Sequence, residues 1–319
     1  SKKAALLRYL SSVEGKNFMV THLVSEIAKS YYELIALDNK LDRVNKMIEI
    51  QKNALKIVKQ LKKAGEVTEL AVRKFEAEVK KNKSHRYNIR QKITETENQI
   101  NFLVGRFPQP IERNSQKFNK LNPGNTIDPG FPPQLLENRP DIKEAKLNLK
   151  AAKLDVKVAK ARFYPSLRIT ADVGYQAFNP EFLLSTPESM LYSLAGDFIA
   201  PLINRKAIKT AYSNANLKQV QAVFNYQRTV LKAFTEVSSQ LAKIKNLKKS
   251  YDLKSEQVAT LNRSIEVSNA LFQSARADYM EVLMTQRDAL EAKIELIETK
   301  KEQLKSKVNV YQALGGGWK

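Results

Sequence analysis

Imidazole and thiol side chains are scarce in this chain, which has two histidines, His22 and His85, and no cysteine. The histidines lie far apart, and neither has the His-x-x-x-His or Glu-x-x-His partner that would put two ligands on one helical face. Without cysteine there is neither a disulfide framework nor a thiolate zinc site. Serine, threonine and carboxylates are abundant, but no nucleophile elbow, phosphate loop or metal spacing organises them. The run Gly315-Gly316-Gly317-Trp318 is no dinucleotide fingerprint, because no strand precedes it. The expectation is a protein that is not an enzyme and holds no metal or cofactor.

Charge is the other chemical bias. Lys plus Arg number 54 against 33 Asp plus Glu, a net of 54 − 33 = +21, which on a compact protein points to nucleic acid or an anionic membrane. The cations are instead dispersed along helical faces, with no RNA-binding signature and no aromatic stacking platform. Solvated helices and no nucleic-acid partner are expected.

The elements that carry these side chains repeat. Residues 26–105 recur in pattern as residues 236–315, with 236 − 26 = 315 − 105 = 210. A heptad register runs through Ile27, Leu34, Leu41, Ile48 and Leu55 in one copy and Val237, Ile244, Tyr251, Val258 and Ile265 in the other. A repeat of this size points to a duplicated architecture. Each copy predicts a long helix, a break at Gly65 or Ala275, and a return helix closing on Gly105 or Gly315.

The long helices run from about Lys2 to Lys63 and from about Arg205 to Gln273. At ~1.5 Å per residue each is on the order of 90 Å or more, far longer than a bilayer is thick, and both are too polar to sit in lipid. No apolar run approaches the ~20 residues a spanning helix needs, so any crossing must use strands. Residues 105–140 hold seven of the eleven prolines and predict a connecting segment, because proline fixes φ and removes a donor.

The helix from Asp141 carries two apolar seams on nearly opposite sides. One is Ile142, Ala145, Leu149, Ala152, Val156 and Ala159; the other is Leu147, Ala151, Leu154, Val158 and Ala161. Such a helix needs a neighbour on each side, as a stave in a curved wall does. One remaining face shows Lys143, Lys146, Lys150, Lys153, Lys157 and Lys160; the narrower one shows Glu144, Asn148 and Asp155.

Periodicity then switches to two from Phe163 to Ala177, and a second strand is expected from about Leu191 to Ile203. Each is long enough to cross a bilayer, which takes ~9–11 tilted residues. An outer-membrane barrel pair and a soluble amphipathic hairpin packed on helices both fit this pattern.

Four motifs, in order, resemble a known family. They are Gly130-Phe131-Pro132-Pro133-Gln134-Leu135-Leu136, Arg139-Pro140-Asp141-Ile142, Ala161-Arg162-Phe163-Tyr164-Pro165-Ser166-Leu167 and the ending Tyr311-Gln312-Ala313-Leu314-Gly315-Gly316-Gly317-Trp318. In this order and spacing the chain resembles the TolC/OprM-like outer membrane factors, the exit ducts of bacterial efflux pumps and type I secretion systems. The resemblance implies a mainly α fold, a long antiparallel coiled-coil wall with one transmembrane strand pair. Three subunits would close a twelve-stranded β-barrel over an α-helical tunnel. It implies a homotrimer in the outer membrane with its helices in the periplasm, partnered by a periplasmic adaptor and an inner-membrane transporter.

The expected segments are a helical hairpin over 1–104, a linker over 105–140, a wall helix over 141–162, a strand pair with its loop over 163–203, a second hairpin over 204–314 and a tail over 315–319. By the 210-residue offset, first-repeat counterparts of Arg139 to Ile203 would precede residue 1. An N-terminally incomplete chain is expected, lacking the export signal, any lipid-bearing cysteine, the first strand pair and one wall helix.

In such ducts the two helix breaks form the periplasmic mouth. The resemblance makes Gly65, Glu66, Thr68, Glu69, Leu70, Ala275 and Tyr279 the adaptor-contact tip. Relatives of the OprM type carry a leucine, an aspartate four residues on and an arginine three further on; here those positions are Met280, Met284 and Arg287. The aspartate is missing, so Asp278 or Glu281 would supply the negative charge beside an apolar constriction at Met280. Two readings compete: a periplasmic adaptor, which would need β-rich halves flanking a single hairpin, and a soluble coiled-coil scaffold whose lysine faces bind an anionic polymer.

Overall fold

The computed structural model describes residues 2–114, 118, 121, 138–184, 187, 190–199, 205–274 and 276–316. The Gly130–Leu136 motif, much of the proline-rich linker, Ala275, residues 200–203 of the expected second strand and Gly317 and Trp318 lie outside the described residues. In chain order the elements are α1 (Lys2–Lys63), α2 (Glu69–Leu103), α3 (Pro140–Ala161), β1 (Ser166–Tyr175), β2 (Met190–Ile199), α4 (Arg205–Gln273) and α5 (Tyr279–Ala313). None of these helices is long and apolar enough to cross a membrane.

Two compact units divide the chain: Ser1–Gly15 with Asp141–Val230, and Lys16–Pro140 with Leu231–Lys319. In the first, the start of α1 lies along α3. Arg8 pairs with Asp155, and Ser11 Oγ donates to the Glu144 carbonyl at 3.4 Å. Gly15, a residue that weakens a helix interior, touches the same stretch: a Cβ there would lie 3.4 Å from Glu144 Oε2. Burial, and then the charge of Asp141, push the Glu144 carboxyl above its ordinary range. On α3, Ile142, Ala151 and Ala159 are buried, most other seam residues are half-buried and Ala161 is exposed. Lys146, Lys150, Lys153, Lys157 and Lys160 all face solvent.

The strand pair completes this unit. Pro165 and two turn hydrogen bonds, Phe163 N to the Lys160 carbonyl and Tyr164 N to the Ala161 carbonyl (both 3.1 Å), keep the ladder from starting at Phe163, so β1 begins at Ser166. The strands are antiparallel, and opposed residues share a face. One face holds Leu167/Phe198, Ile169/Gly196, Ala171/Leu194, Val173/Tyr192 and Tyr175/Met190, and is apolar throughout. The other holds Ser166/Ile199, Arg168/Asp197, Thr170/Ala195, Asp172/Ser193 and Gly174/Leu191, polar through its middle pairs. The large apolar side chains are exposed, Val173 at 77% and Leu194 at 78%.

The second unit contains the core. Leu37, Val44, Met47 and Ile48 of α1 close on Ile89 of α2 and Leu290 of α5. A second cluster joins Ile35 and Ala36 to Phe118, Ile297 and Leu304. The heptad positions Leu34 and Ile48 are buried as their register requires; the α4 counterparts are buried at Val237 and half-buried at Ile244, Tyr251, Val258 and Ile265.

Several polar groups inside this unit are paired across helices. Asn82 donates to Gln51 at 2.8 Å, a buried amide pair between α2 and α1. Arg113 reaches back from beyond α2 to grip Asp38 of α1 through two bonds (2.5 and 3.0 Å) and also pairs with Glu97 of α2. Those partners raise its pKa further, against the cost of burial. Lys301, only 7% exposed, pairs with Glu33 at 3.0 Å and with Glu298, which also meets Lys40. Burial opposes ionisation of Glu298, but hydrogen bonds from Lys301 and Lys40 outweigh it and draw the carboxyl down to about 2.

Candidate functional site

The two helical turns are built alike. After α1, Gly65 takes φ +81, a backbone conformation that glycine adopts without a Cβ penalty. Its N–H bonds the Lys62 carbonyl at 3.0 Å while Glu66 N bonds that of Leu61 at 3.0 Å, the paired bonds of a Schellman cap. After α4, Arg276 N bonds the Leu271 carbonyl at 2.9 Å, each number 210 higher than in the first turn: 276 − 66 = 271 − 61 = 210. The return helices start from Thr68 and Asp278, both extended and neither capping with its side chain. α2 and α5 have 35 residues each, with 279 − 69 = 313 − 103 = 210.

A single apolar cluster joins the turns. Val58 of α1, Ala71, Val72 and Phe75 of α2 and Leu283 of α5 are buried together, with Val67, Tyr279 and Met280 packed against them. Phe75 is 1% exposed and its ring centroid lies 6.5 Å from that of Tyr279. Burying a phenylalanine is worth about 1.5–3 kcal/mol. Beside the cluster is a cleft of about 650 Å³, walled by Ile57, Leu61, Phe75, Phe272 and Val282, with Glu66 and Asp278 among its polar residues.

The site residues expected from sequence separate into two sets. Gly65, Glu66, Thr68, Glu69 and Leu70 are exposed on the first turn, and Leu70 presents apolar surface to solvent. Glu69 is held by Lys62 and by Arg73, at 2.7 Å from the latter, and hydrogen bonding from Lys62 draws its carboxyl below the ordinary range. Tyr279 packs inward on Phe75. Ala275 lies outside the described residues.

Of the constriction candidates, Asp278, Glu281, Met284 and Arg287 are exposed, and Arg287 pairs with its neighbour Asp288 at 3.2 Å. Met280 is different. It is half-buried against the Phe75 cluster, with Lys74 Nζ 3.4 Å from its sulfur. At helical spacing Glu281, Met284 and Arg287 form one exposed stripe on α5, with Met284 as its apolar member. Phe75, buried in the cluster that both turns share, carries no mark in the sequence. A phenylalanine between Lys74 and Glu76 has no local signal that it joins two hairpins.

The sequence profile described as Outer membrane efflux protein matches residues 131–316. The solvent efflux pump outer membrane protein SrpC of Pseudomonas putida is 25% identical over 315 residues, 98% of this chain. The chain spans 66% of that relative's length. The solved outer-membrane channel OprN superposes with a TM-score of 0.92 at 19% identity, covering 99% of this chain and 71% of that one. The outer membrane protein VceC of Vibrio cholerae superposes with a TM-score of 0.87 at 20% identity, covering 99% and 75%.

Proposed function

The chain belongs to the outer membrane efflux protein family, and from that premise we propose that it supplies wall, strand pair and tip to a passive exit duct of a tripartite efflux pump or type I secretion system. The observation that carries this reading is the hairpin with one wholly apolar face and one face that is polar through its middle. Strands of 10 residues match the ~9–11 tilted residues that cross a bilayer, and alternating faces suit a barrel with lipid outside and water inside.

In this reading the duct is a homotrimer in the outer membrane, with helices reaching into the periplasm. Three copies of a chain carrying two such repeats, each with its strand pair, close a twelve-stranded barrel over the tunnel. The matched offset and length of α2 and α5 support the duplication that this requires. The exposed stripe Leu217, Val220 and Phe224 on α4 supports a subunit contact there.

The paired turns form the periplasmic mouth. Gly65, Glu66, Thr68, Glu69, Leu70 and Ala275 meet the helical hairpin of a periplasmic adaptor, which links the duct to an inner-membrane transporter. Glu281, Met284 and Arg287, with Asp278, line the constriction; Met280 backs it from the apolar cluster. Opening is a repacking of helix interfaces without covalent chemistry.

The test is direct. Detergent-extracted full-length protein is expected to run as a trimer and to conduct ions in planar bilayers. A water-soluble monomer or dimer without pores would overturn the reading and favour the anionic-polymer scaffold.

A further inference from the structure

Charge is distributed unevenly along the strand pair. The register sets Ser166 opposite Ile199, so the end of α3 and the start of α4 meet the hairpin at the same end, its foot. Phe163 and Tyr212 fasten that junction, with ring centroids 5.9 Å apart. Around it stand Lys157, Lys160, Arg162, Arg205, Lys206 and Lys209, all exposed. None forms an ion pair among the described residues, and the sequence explains why. No Asp or Glu occurs between Asp155 and Asp172, nor between Asp197 and Glu236. The opposite end of the hairpin is the reverse, for no Lys or Arg occurs between Arg168 and Arg205 while the connecting loop carries Glu181 and Glu188.

Exposed cations usually mean only a solvated surface, and Lys146, Lys150 and Lys153 further along α3 are an example. The foot differs in where it stands. It lies where the exposed apolar face of the hairpin ends, with Phe163 and Tyr164 beside it, and cations and aromatic rings at that level are placed for a lipid headgroup layer. Six cations concentrated there attract anionic lipid, each adding to a binding free energy that salt screens.

Resting on the duct reading, we propose that the foot of the hairpin is a binding surface for anionic phospholipid, recruiting phosphate headgroups of the leaflet on the helical side of the membrane. The chemistry recognised is a phosphodiester with net negative charge on an acyl-chain anchor. A zwitterionic headgroup and free phosphate each lack one of those two features.

The experiment uses the full-length protein reconstituted into vesicles of equal phosphatidylglycerol and phosphatidylcholine, then re-extracted, with retained lipid measured by mass spectrometry. The wild type is expected to retain phosphatidylglycerol about fivefold over phosphatidylcholine, falling to parity in high salt. The variant K157Q/K160Q/K206Q/K209Q is expected to lose the preference while still inserting. K146Q/K150Q/K153Q, on the same helix but away from the foot, is expected to keep it. Equal retention of the two lipids by the wild type overturns the proposal. So does an equal loss in both variants, or displacement of the lipid by inorganic phosphate at matched ionic strength. The salt series needs no variant, so poor folding of the quadruple mutant does not shelter the idea. Protein that never enters the mixed vesicles overturns the duct reading as well, whereas entry without preference overturns this proposal alone.

Discussion

Arg139 lies against Gly315 so closely that a Cβ on residue 315 would fall 2.9 Å from the Arg139 Cα. The buried guanidinium donates to the Ala313 carbonyl at 2.9 Å and to Glu236 at 3.0 Å, tying the entry to α3 to the ends of α5 and the lower part of α4. Gly315 itself sits at φ +78 in the cap that ends α5. The Arg139-Pro140-Asp141-Ile142 motif and the C-terminal Gly315 motif, separate in sequence, are therefore one joint.

This joint separates two glycines that share a backbone conformation. Gly65→Ala adds a side chain with nothing within 4 Å, so only the left-handed backbone penalty of about 1–2 kcal/mol applies. Gly315→Ala adds a clash with Arg139 backbone to the same penalty. Thermal unfolding is expected to show the larger drop for Gly315→Ala; equal drops would remove the joint from the explanation.

Phe75→Ala should destabilise the protein by about 3–5 kcal/mol, because three helices lose their shared contact at the turns. Phe75→Leu should lose much less. Chemical denaturation measures both, and proteolysis near residues 64–68 should accelerate in the alanine variant.

The acid response has a defined sign. Glu298 is held at about 2 in the folded protein against an ordinary value of 4.5, so its contribution is present above 4.5 and lost as pH falls from there toward 2. The side chain is 41% exposed, so solvent screening leaves a contribution on the order of 1 kcal/mol rather than the full shift. Glu298→Gln should flatten the fall in melting temperature over that window, and an unchanged slope would assign it to other carboxylates such as Glu33, whose pKa is also lowered.

At the middle of the hairpin, Leu194→Lys should oppose membrane insertion by about 2–4 kcal/mol, the cost of a lysine facing lipid near mid-bilayer. Thr170→Lys, on the other face, should insert nearly normally. Yield in the membrane fraction distinguishes them, and equal losses would contradict the two-faced assignment.

At the tip, Glu281→Ser with Met284→Ser should raise single-channel conductance or its open fraction in planar bilayers, without the stability loss of Phe75→Ala. Met280→Ser should act mainly through stability, since that side chain backs onto the apolar cluster.

The helices were legible in the sequence because heptads, proline and glycine punctuate them cleanly: α1 and α4 span Lys2–Lys63 and Arg205–Gln273, as the pattern predicts. The strand limits were less so. Alternation from Phe163 onward cannot reveal that a helix-terminal turn consumes three residues before Pro165. Long-range polar joints were not legible at all. Arg139 and Ala313 are 174 positions apart, and Lys301 sits in the polar run Lys300-Lys301-Glu302, which reads as surface although both lysines are buried. For the same reason Met280 and Met284, four residues apart, look equivalent in sequence, while packing sends one toward Phe75 and the other to solvent.

The cluster around Phe75 has a mechanical corollary. Val58, Phe75 and Leu283 belong to three different helices yet share one patch of buried surface, so neither turn can swing outward by itself without wetting the ring between them. The two turns therefore share one buried patch, and moving the turn at Gly65 outward exposes apolar surface that the turn before Tyr279 also covers.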